Sequence, residues 1–580
     1  MATPGVVMER AAARPSVTAL RELLRPASVL PLALLAVTVV MVVYPLSMVL
    51  YGTVKDGAPG QPGGFTLAHW RAVLGDVDTY RVLLNSVMIA VPRTVLALLL
   101  ATMFAWSIAR TTMPGKRVLE GLLVFLFFLP ELPWVLAWML LGAPNVGLLN
   151  QWLRALVPGV ETFVNVYSYA GLIVLGAARS APVLFLFVYP AFQAMDATLE
   201  EAARMAGAGG WRTIRRVNLP LLMPALLASG ILSFVVAMES FEIPQLLGTP
   251  AKIVVFTTRI YDLAYGGHVA RFGPAMVLAV LLLLLTVSLI AVQWKLLKGR
   301  AFTTISGRGY RARPVDLGAW RWVPFAVIVL FFVAFGALPF VVLLLNSFME
   351  LSGFVSWELF TTRHWADALG RTAVLTSIED TVLVAVAAAT VGVALSALIS
   401  YVVTRTTWAG RKVLDLVAWG PWAVPGLVMA LGFLWAFVWL PIYGTPWLLV
   451  LVLVARGLPV GSRFFTSTMV QLGAELEESA RIHGASWPRV CVRIWAPLLR
   501  PAILGAWILL FVIAVRVLDL VVLLAGPGSR MLSADIFFWT VSGRQEAASV
   551  LALLQTALVI AGYVVARLLL GRAPQDSLSR

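Results

Sequence analysis

The chain has 580 residues, 60% of them hydrophobic and 12% charged, with a formal net charge of +16 and a mean hydropathy of +0.91. Soluble domains carry roughly a quarter of their residues as charges, so this composition excludes an ordinary soluble enzyme and points to a chain embedded in lipid. The single cysteine, Cys491, excludes an intrachain disulfide and a thiolate metal cluster, and the four histidines (His69, His268, His364 and His483) stand too far apart in sequence to suggest a metal cage.

Residues 1–27 read as an Arg-rich cytoplasmic arm, because no small-residue cleavage site follows the first apolar stretch. Twelve apolar stretches come after it, near 29–52, 83–109, 119–141, 166–190, 221–247, 273–297, 322–347, 378–404, 414–439, 446–470, 500–525 and 548–570. Each is close to the ~20 residues a spanning helix requires. Backbone polar groups cannot stay unpaired in hydrocarbon, and the stretches lack two-residue alternation, so they are expected as helices and not as barrel strands. Lys and Arg gather at 10–25, 110–117, 204–216, 295–321, 405–412, 481–500 and in the C-terminal tail. This is the positive-inside pattern, which places both termini in the cytoplasm. The basic excess is then a topology signal with a secondary role at anionic lipid, and nucleic acid is not an expected partner. The stretch Pro144 to Tyr167 is expected as an external loop with a short interfacial helix at Leu148 to Leu156. Aromatic segments before the second span of each half, around Trp70 and Trp365, read either as interfacial anchors or as short external helices that a soluble partner could touch.

The stretch Leu199 to Pro224 returns as Leu476 to Pro501, and Glu201, Gly207 and Pro220 recur as Glu478, Gly484 and Pro497 at a constant shift of 277. Further upstream Pro130 matches Pro425 at a shift of 295, so the first half carries 18 more residues between its third and fourth spans. The chain therefore divides into an arm (1–27), a first membrane half (28–297), a cytoplasmic linker (298–321), a second membrane half (322–570) and a cytoplasmic tail (571–580). Six spans per half make the halves parallel repeats about an axis along the membrane normal.

Each repeated loop has the same polar core. The first reads Glu201-Ala202-Ala203, then Gly207, then Leu219-Pro220; the second reads Glu478-Ser479-Ala480, then Gly484, then Ala496-Pro497. Both copies resemble the EAA motif found in the membrane subunits of bacterial ABC importers, with Ser479 and Ala496 as departures. The resemblance implies an all-helical membrane protein of about twelve spans, built as two six-helix repeats of the maltose- and methionine-importer type. It also implies that Glu200, Glu201, Ala203, Gly207 and Pro220, with Glu477, Glu478, Ala480, Gly484 and Pro497, couple the chain to two copies of a cytoplasmic ABC ATPase. ATP and Mg would be held by that partner; the chain itself has no Gly-rich loop ending in Gly-Lys-Ser/Thr, and no cofactor of its own is expected. A solute-binding protein at the external face completes the implied assembly, in the inner (plasma) membrane. The run Phe241 to Gly248, the Thr258-Arg259-Ile260-Tyr261 stretch and the Gly526-Pro527-Gly528 turn resemble the fused permeases of ferric-iron uptake. Thiamine, a phosphonate or a polyamine remain alternative cargoes, and a secondary transporter driven by an ion gradient is the rival from another class. A membrane enzyme is disfavoured because no catalytic constellation is visible.

Charges at membrane depth are expensive and are functional candidates by default. Glu239 and Glu242 lie three residues apart on one helix face, and their counterparts at a shift of 277 are Arg516 and Asp519. They are expected in the outer third of their spans, where three carboxylates against one arginine would make a negative mouth suited to a cation such as ferric iron. The competing reading pairs Arg516 and Asp519 with each other or with Glu239, holding the halves in register. Glu131, between Pro130 and Pro133, is either a further pathway group or a cap on a helix break. Arg179 and Arg456, each three residues before a proline, are expected to satisfy carbonyls that the proline frees. Arg93, beside Pro92, has no counterpart in the second half and takes no role from the sequence. No residue is assigned as a metal ligand.

Overall fold

The computed structural model describes residues 28–297 and 314–570 apart from 158, 160, 196, 267–268, 354–356, 474 and 527. The arm, residues 298–313 of the linker and the tail lie outside the described residues. The first half runs α1 (Val29–Val54), α2 (Ala68–Gly75), α3 (Val77–Arg110), α4 (Lys116–Phe128), α5 (Glu131–Gly142), α6 (Leu148–Leu156), α7 (Tyr169–Gln193), α8 (Ala197–Met205), α9 (Leu219–Glu239) and α10 (Phe272–Leu297). The second runs α11 (Trp322–Phe332), α12 (Leu338–Ser347), α13 (Arg363–Leu369), α14 (Thr372–Arg405), α15 (Arg411–Trp419), α16 (Gly426–Phe437), α17 (Pro446–Gln471), α18 (Glu475–Ile482), α19 (Arg500–Arg516), α20 (Leu532–Val541) and α21 (Gln545–Leu570). Among the described residues nine helices are long and apolar enough to cross a membrane, and counting three bent pairs as one span each gives twelve.

The repeat seen in sequence recurs in the paired helices. Both ends of α14 match those of α3 at the shift of 295, and both ends of α16 match those of α5 at the same shift. The start of α17 matches that of α7 at the shift of 277, as do the wide π-type turns Ile214–Asn218 and Cys491–Trp495. The third span of each half is broken by its proline, at 97° in the first half and 114° in the second, because Pro130 and Pro425 lack the N–H that would bond four residues back. The 18 additional residues of the first half hold α6, whose side chain Asn150 ties the loop together by donating to the carbonyls of Ala143 at 2.9 Å and Val164 at 2.7 Å.

The first span of each half does not pack chiefly on its own half. α1 lies along α16, with the Tyr44 hydroxyl donating to the Ala436 carbonyl at 3.2 Å. The α11–α12 span lies along α4 and α5, and the Trp134 indole N–H donates to the Phe335 carbonyl at 2.6 Å. One continuous apolar core therefore runs through both halves, from Met41 and Val49 through Val135 to Leu427 and Phe433.

Candidate functional site

Both repeated loops are built alike. α8 and α18 are short amphipathic helices, and each closes on a glycine with a left-handed backbone: Gly207 at φ +79° and Gly484 at φ +76°. The N–H of Ala208 donates to the Ala203 carbonyl at 2.9 Å, and that of Ala485 to the Ala480 carbonyl at 3.0 Å. This is the Schellman closure, which needs a residue able to adopt αL one place past the helix. The four-residue spacing from the last alanine of the motif to its glycine is the spacing of that closure. A Cβ on either glycine would meet nothing within 4 Å, so within this chain backbone conformation, not crowding, demands glycine here.

The first glutamate of each pair faces inward. Glu200 is buried and takes a 2.6 Å ion pair from Arg110, at the end of α3, whose other arm donates to the Met195 carbonyl at 3.2 Å. Glu477 is likewise buried and accepts from the Tyr401 hydroxyl at 2.7 Å and from Arg481 at 2.5 Å. Arg405, the counterpart of Arg110, donates to the Leu472 and Met469 carbonyls and lies 4.9 Å from the centre of the Trp495 ring. The second glutamate, Glu478, is exposed; the side chain of Glu201 lies outside what is described. Pro220 and Pro497 both stand exposed in the first turn after the π-type turns. Met205 and Ile482, at equivalent places, project into solvent at 84% exposure each, with Leu199 and Leu476 beside them on the same helices. Each loop thus offers an apolar knob on a polar helix clamped from behind by a buried carboxylate.

The intramembrane charges meet at the seam between the halves. Arg456 pairs with Glu239 of the opposite half at 3.7 Å, and Arg516 donates to the Phe127 carbonyl of the opposite half at 2.6 Å, with its guanidinium 5.1 Å from that ring's centre. Arg179 pairs with Glu131 at 3.5 Å. Asp519 accepts from the Leu520 N–H at 2.9 Å and lies against Gly426. Glu242 lies within electrostatic reach of Glu131, Asp519 and Arg179. Arg93 is buried, donates to the Ser180 hydroxyl at 3.2 Å and packs over Gly176, where a Cβ would stand 2.6 Å from its side chain; the second half has Ala388 and Leu453 at the matching positions.

Arg179 and Arg456 do serve carbonyls freed by prolines, but by the prolines of the broken third spans. Arg179 donates to the Leu126 and Leu129 carbonyls at 3.0 and 2.8 Å, and Arg456 to the Pro421 and Val424 carbonyls at 3.0 and 2.7 Å. Leu126 and Pro421 are the residues four before Pro130 and Pro425, whose carbonyls have lost their helical donor. These arginines stand ten residues from the starts of α7 and α17, about 15 Å in at 1.5 Å per residue, which is near the middle of a core about 30 Å thick. Glu131 and Glu239, paired with them, lie level with these arginines, and Glu239 is the last residue of α9. Beyond Glu239 the chain turns through Ser240 into short π and one-turn pieces. Four carboxylates (Glu131, Glu239, Glu242, Asp519) face four guanidinium groups (Arg93, Arg179, Arg456, Arg516), so the local balance is neutral and not the negative mouth that three carboxylates and Arg516 alone would make. Among the described residues no group of three or more His, Cys, Asp or Glu side chains could hold a metal ion.

Residues 60–298 match the family of binding-protein-dependent transport system inner membrane components. The maltose/maltodextrin transport system permease protein MalG of Salmonella typhimurium is 31% identical over 232 residues, covering 37% of this chain and 73% of that protein. The chain belongs to this family. The ferric transport system permease protein FbpB of Actinobacillus pleuropneumoniae is 28% identical over 379 residues, covering 64% of this chain and 54% of that protein. A Haemophilus influenzae protein named for the same ferric transport role is 28% identical over 371 residues, covering 63% of this chain and 58% of that one. The matched stretch thus spans little more than half the length of these two ferric relatives.

As a member of this permease family with nine to twelve apolar spans, the chain is a multi-pass inner-membrane protein. Sequence reasoning about the permease missed Arg110, Arg405, Tyr401 and Arg481, which seat the two loops. Their signal was present, since Arg110 and Arg405 are matched by the shift of 295 and end equivalent spans, but basic residues at span ends read first as topology. Met205 and Ile482 were also legible in principle, as large apolar residues at the same place in two otherwise polar helices.

Proposed function

We propose that this chain is the membrane-spanning permease of an ATP-driven importer, with one ABC ATPase subunit docked on each repeated loop. The observation that carries the reading is the matched pair of loop helices, each clamped by a buried glutamate, closed by an αL glycine and presenting Met205 or Ile482 outward. An exposed apolar knob on a rigid polar helix is what a soluble partner's groove can receive. The loops and both termini then face the cytoplasm, as the Lys and Arg distribution indicates, and a solute-binding protein delivers cargo at the opposite face. ATP and Mg stay in the ATPase, and the chain is a conduit without chemistry of its own. Closure of the ATPase pair moves the loops, and the halves rock about the seam where Arg456 meets Glu239.

Ferric iron is the cargo we favour, supported by the two ferric relatives. The neutral balance at the seam adds nothing to that choice, so the cargo rests on likeness alone. The test is co-purification with an ABC ATPase of the source organism, followed by reconstitution with a ferric-binding solute-binding protein and ATP-dependent uptake of radioactive ferric iron. Met205→Glu with Ile482→Glu should abolish ATPase binding while leaving the permease folded. Retained binding in that double variant would refute the docking reading, and uptake of another solute with no iron uptake would refute the cargo.

A further inference from the structure

The end of the linker does more than join the halves. Val315 runs beside Thr111 in a single parallel β pairing. The Val315 N–H donates to the Arg110 carbonyl at 2.7 Å, and the Thr112 N–H donates to the Val315 carbonyl at 3.0 Å. The Thr112 hydroxyl accepts from the Leu317 N–H and donates to Asp316 Oδ1, both at 3.2 Å. Asp316 Oδ1 also accepts from the Gly318 N–H at 3.0 Å, which turns the chain into the short helix Gly318–Arg321 that leads to α11.

Arg110 is where this matters. Its carbonyl, at the end of α3, is one of the acceptors a helix leaves without an internal donor, and the linker supplies that donor. Its buried side chain holds Glu200 and the Met195 carbonyl. A continuous chain of contacts therefore runs from α11, in the second half, through Val315 and Asp316, through one arginine, to the helix α8 of the first loop. The second loop is seated differently. The Thr406 carbonyl, beside Arg405, takes Arg411 of its own half at 2.6 Å, and Glu477 takes Tyr401 and Arg481 of its own half.

We propose that Pro314–Leu317 is a positioning strut for the first coupling loop, with Val315, Asp316 and Thr112 as its positioning residues. Through it the second half's first span sets the aim of Arg110, so that motion of α11 reaches the first ATPase directly. The strut acts by docking and not by tethering: the covalent connection through 298–313 is dispensable, and the docked residues are not. This rests on the docking of the ATPase at the loops proposed above.

The experiment uses the permease–ATPase complex with its binding protein in proteoliposomes. Val315→Pro removes the N–H that serves Arg110, and Thr112→Val removes the bridging hydroxyl. Each deletes one or two hydrogen bonds of about 1 kcal/mol, so substrate-stimulated ATP hydrolysis and uptake per ATP should fall about 5- to 30-fold with the complex still assembled. Thr112→Ser, which keeps the hydroxyl, should restore both, a rescue that a loss of bulk at this position would not show. A permease split into two co-expressed pieces between residues 305 and 306 should couple normally, because the strut stays attached to α11. Hydrogen exchange over 197–208 should quicken in Val315→Pro and Thr112→Val but stay unchanged over 475–485. Wild-type coupling in both variants, failure of Thr112→Ser to rescue, or a split permease as impaired as Val315→Pro would each overturn the strut. Met205→Glu with Ile482→Glu serves as the control: if the double variant leaves ATPase binding intact the docking reading falls and the strut with it, whereas if it abolishes binding the Val315 and Thr112 variants judge the strut alone.

Discussion

Replacing Glu200 with Ala should loosen the first loop far more than the matching change loosens the second. Arg110 and Glu200 are 2% and 10% exposed at their side chains and 2.6 Å apart. Removing the carboxylate leaves the Arg110 guanidinium buried against one carbonyl at 3.2 Å. Breaking a buried pair from one side costs about 3–5 kcal/mol, because the remaining charge has no compensation. If that cost falls on the local seat of α8, its opening equilibrium shifts by roughly 10²- to 4 × 10³-fold at 1.4 kcal/mol per decade. In Glu477→Ala the stranded cation is Arg481, 55% exposed at its side chain, which can turn to water; the loss is then the one hydrogen bond from Tyr401 to a charged group, about 1.5–3 kcal/mol. Amide exchange of the purified permease, read over 197–208 and 475–485, measures both openings. Equal acceleration in the two variants, or a larger one in Glu477→Ala, would show that burial of the Arg110–Glu200 pair is not what seats the first loop. Glu200→Gln, which keeps an acceptor for Arg110, should fall between wild type and Glu200→Ala.

Gly207→Ala and Gly484→Ala should each cost about 1–2 kcal/mol of loop stability from the left-handed backbone with no steric clash; exchange of 203–208 and 480–485 measures it, and a neutral result would mean the closure relaxes. Asp316 is held below the usual carboxylate range by the Gly318 N–H and then the Thr112 hydroxyl, with Arg321 nearby adding to the lowering. A lowered folded value means that its contribution is present above the unfolded carboxyl value of about 3.9 and is lost as pH falls through the folded one. The melting-temperature gap between wild type and Asp316→Asn should therefore hold constant above about pH 5 and close in stronger acid, and a gap that widens in acid would refute the sign. At the seam, Arg456→Gln strands Glu239 in the core and should destabilise more than Arg456→Gln with Glu239→Gln, measured by thermal unfolding; the opposite order would remove the pair from the forces holding the halves. For orientation, cysteines at Gly64 and Gly526, where a Cβ meets nothing within 4 Å, should react with impermeant thiol reagents in intact cells after Cys491 is replaced, and one at Gly209 should not. Gly63 would be a poor site, since its Cβ would meet the Asp56 carbonyl.

The repeat made most of the architecture legible. The two shifts, 295 and then 277, anticipate paired helices, and the 18-residue excess anticipates α6 between Leu148 and Leu156. Hydropathy alone overran the fifth span, because Phe241, Ile243, Leu246 and Leu247 continue the apolar run past Glu239; the break at Ser240 and Pro244 is set by packing and by the missing proline donor. The loops were legible as polar inserts, but not which glutamate turns inward, since Glu200 and Glu201 differ only by about 100° around a helix. The charge balance at the seam is not legible in the sequence because Arg93, Arg179 and Arg456 sit on other spans, and only the fold brings them to Glu131, Glu239 and Glu242.

The crossing of the first spans also sets a clock. Tyr44 and its acceptor at Ala436 are 392 residues apart in the chain, and ribosomes add about 5–20 residues per second. For roughly 20–80 s after α1 enters the bilayer, the surface it will rest on has not been made. During that interval lipid or the insertion machinery stands where α16 will pack against the face carrying Thr38, Met41, Pro45 and Val49, so the oldest helix waits on the younger half for part of its packing.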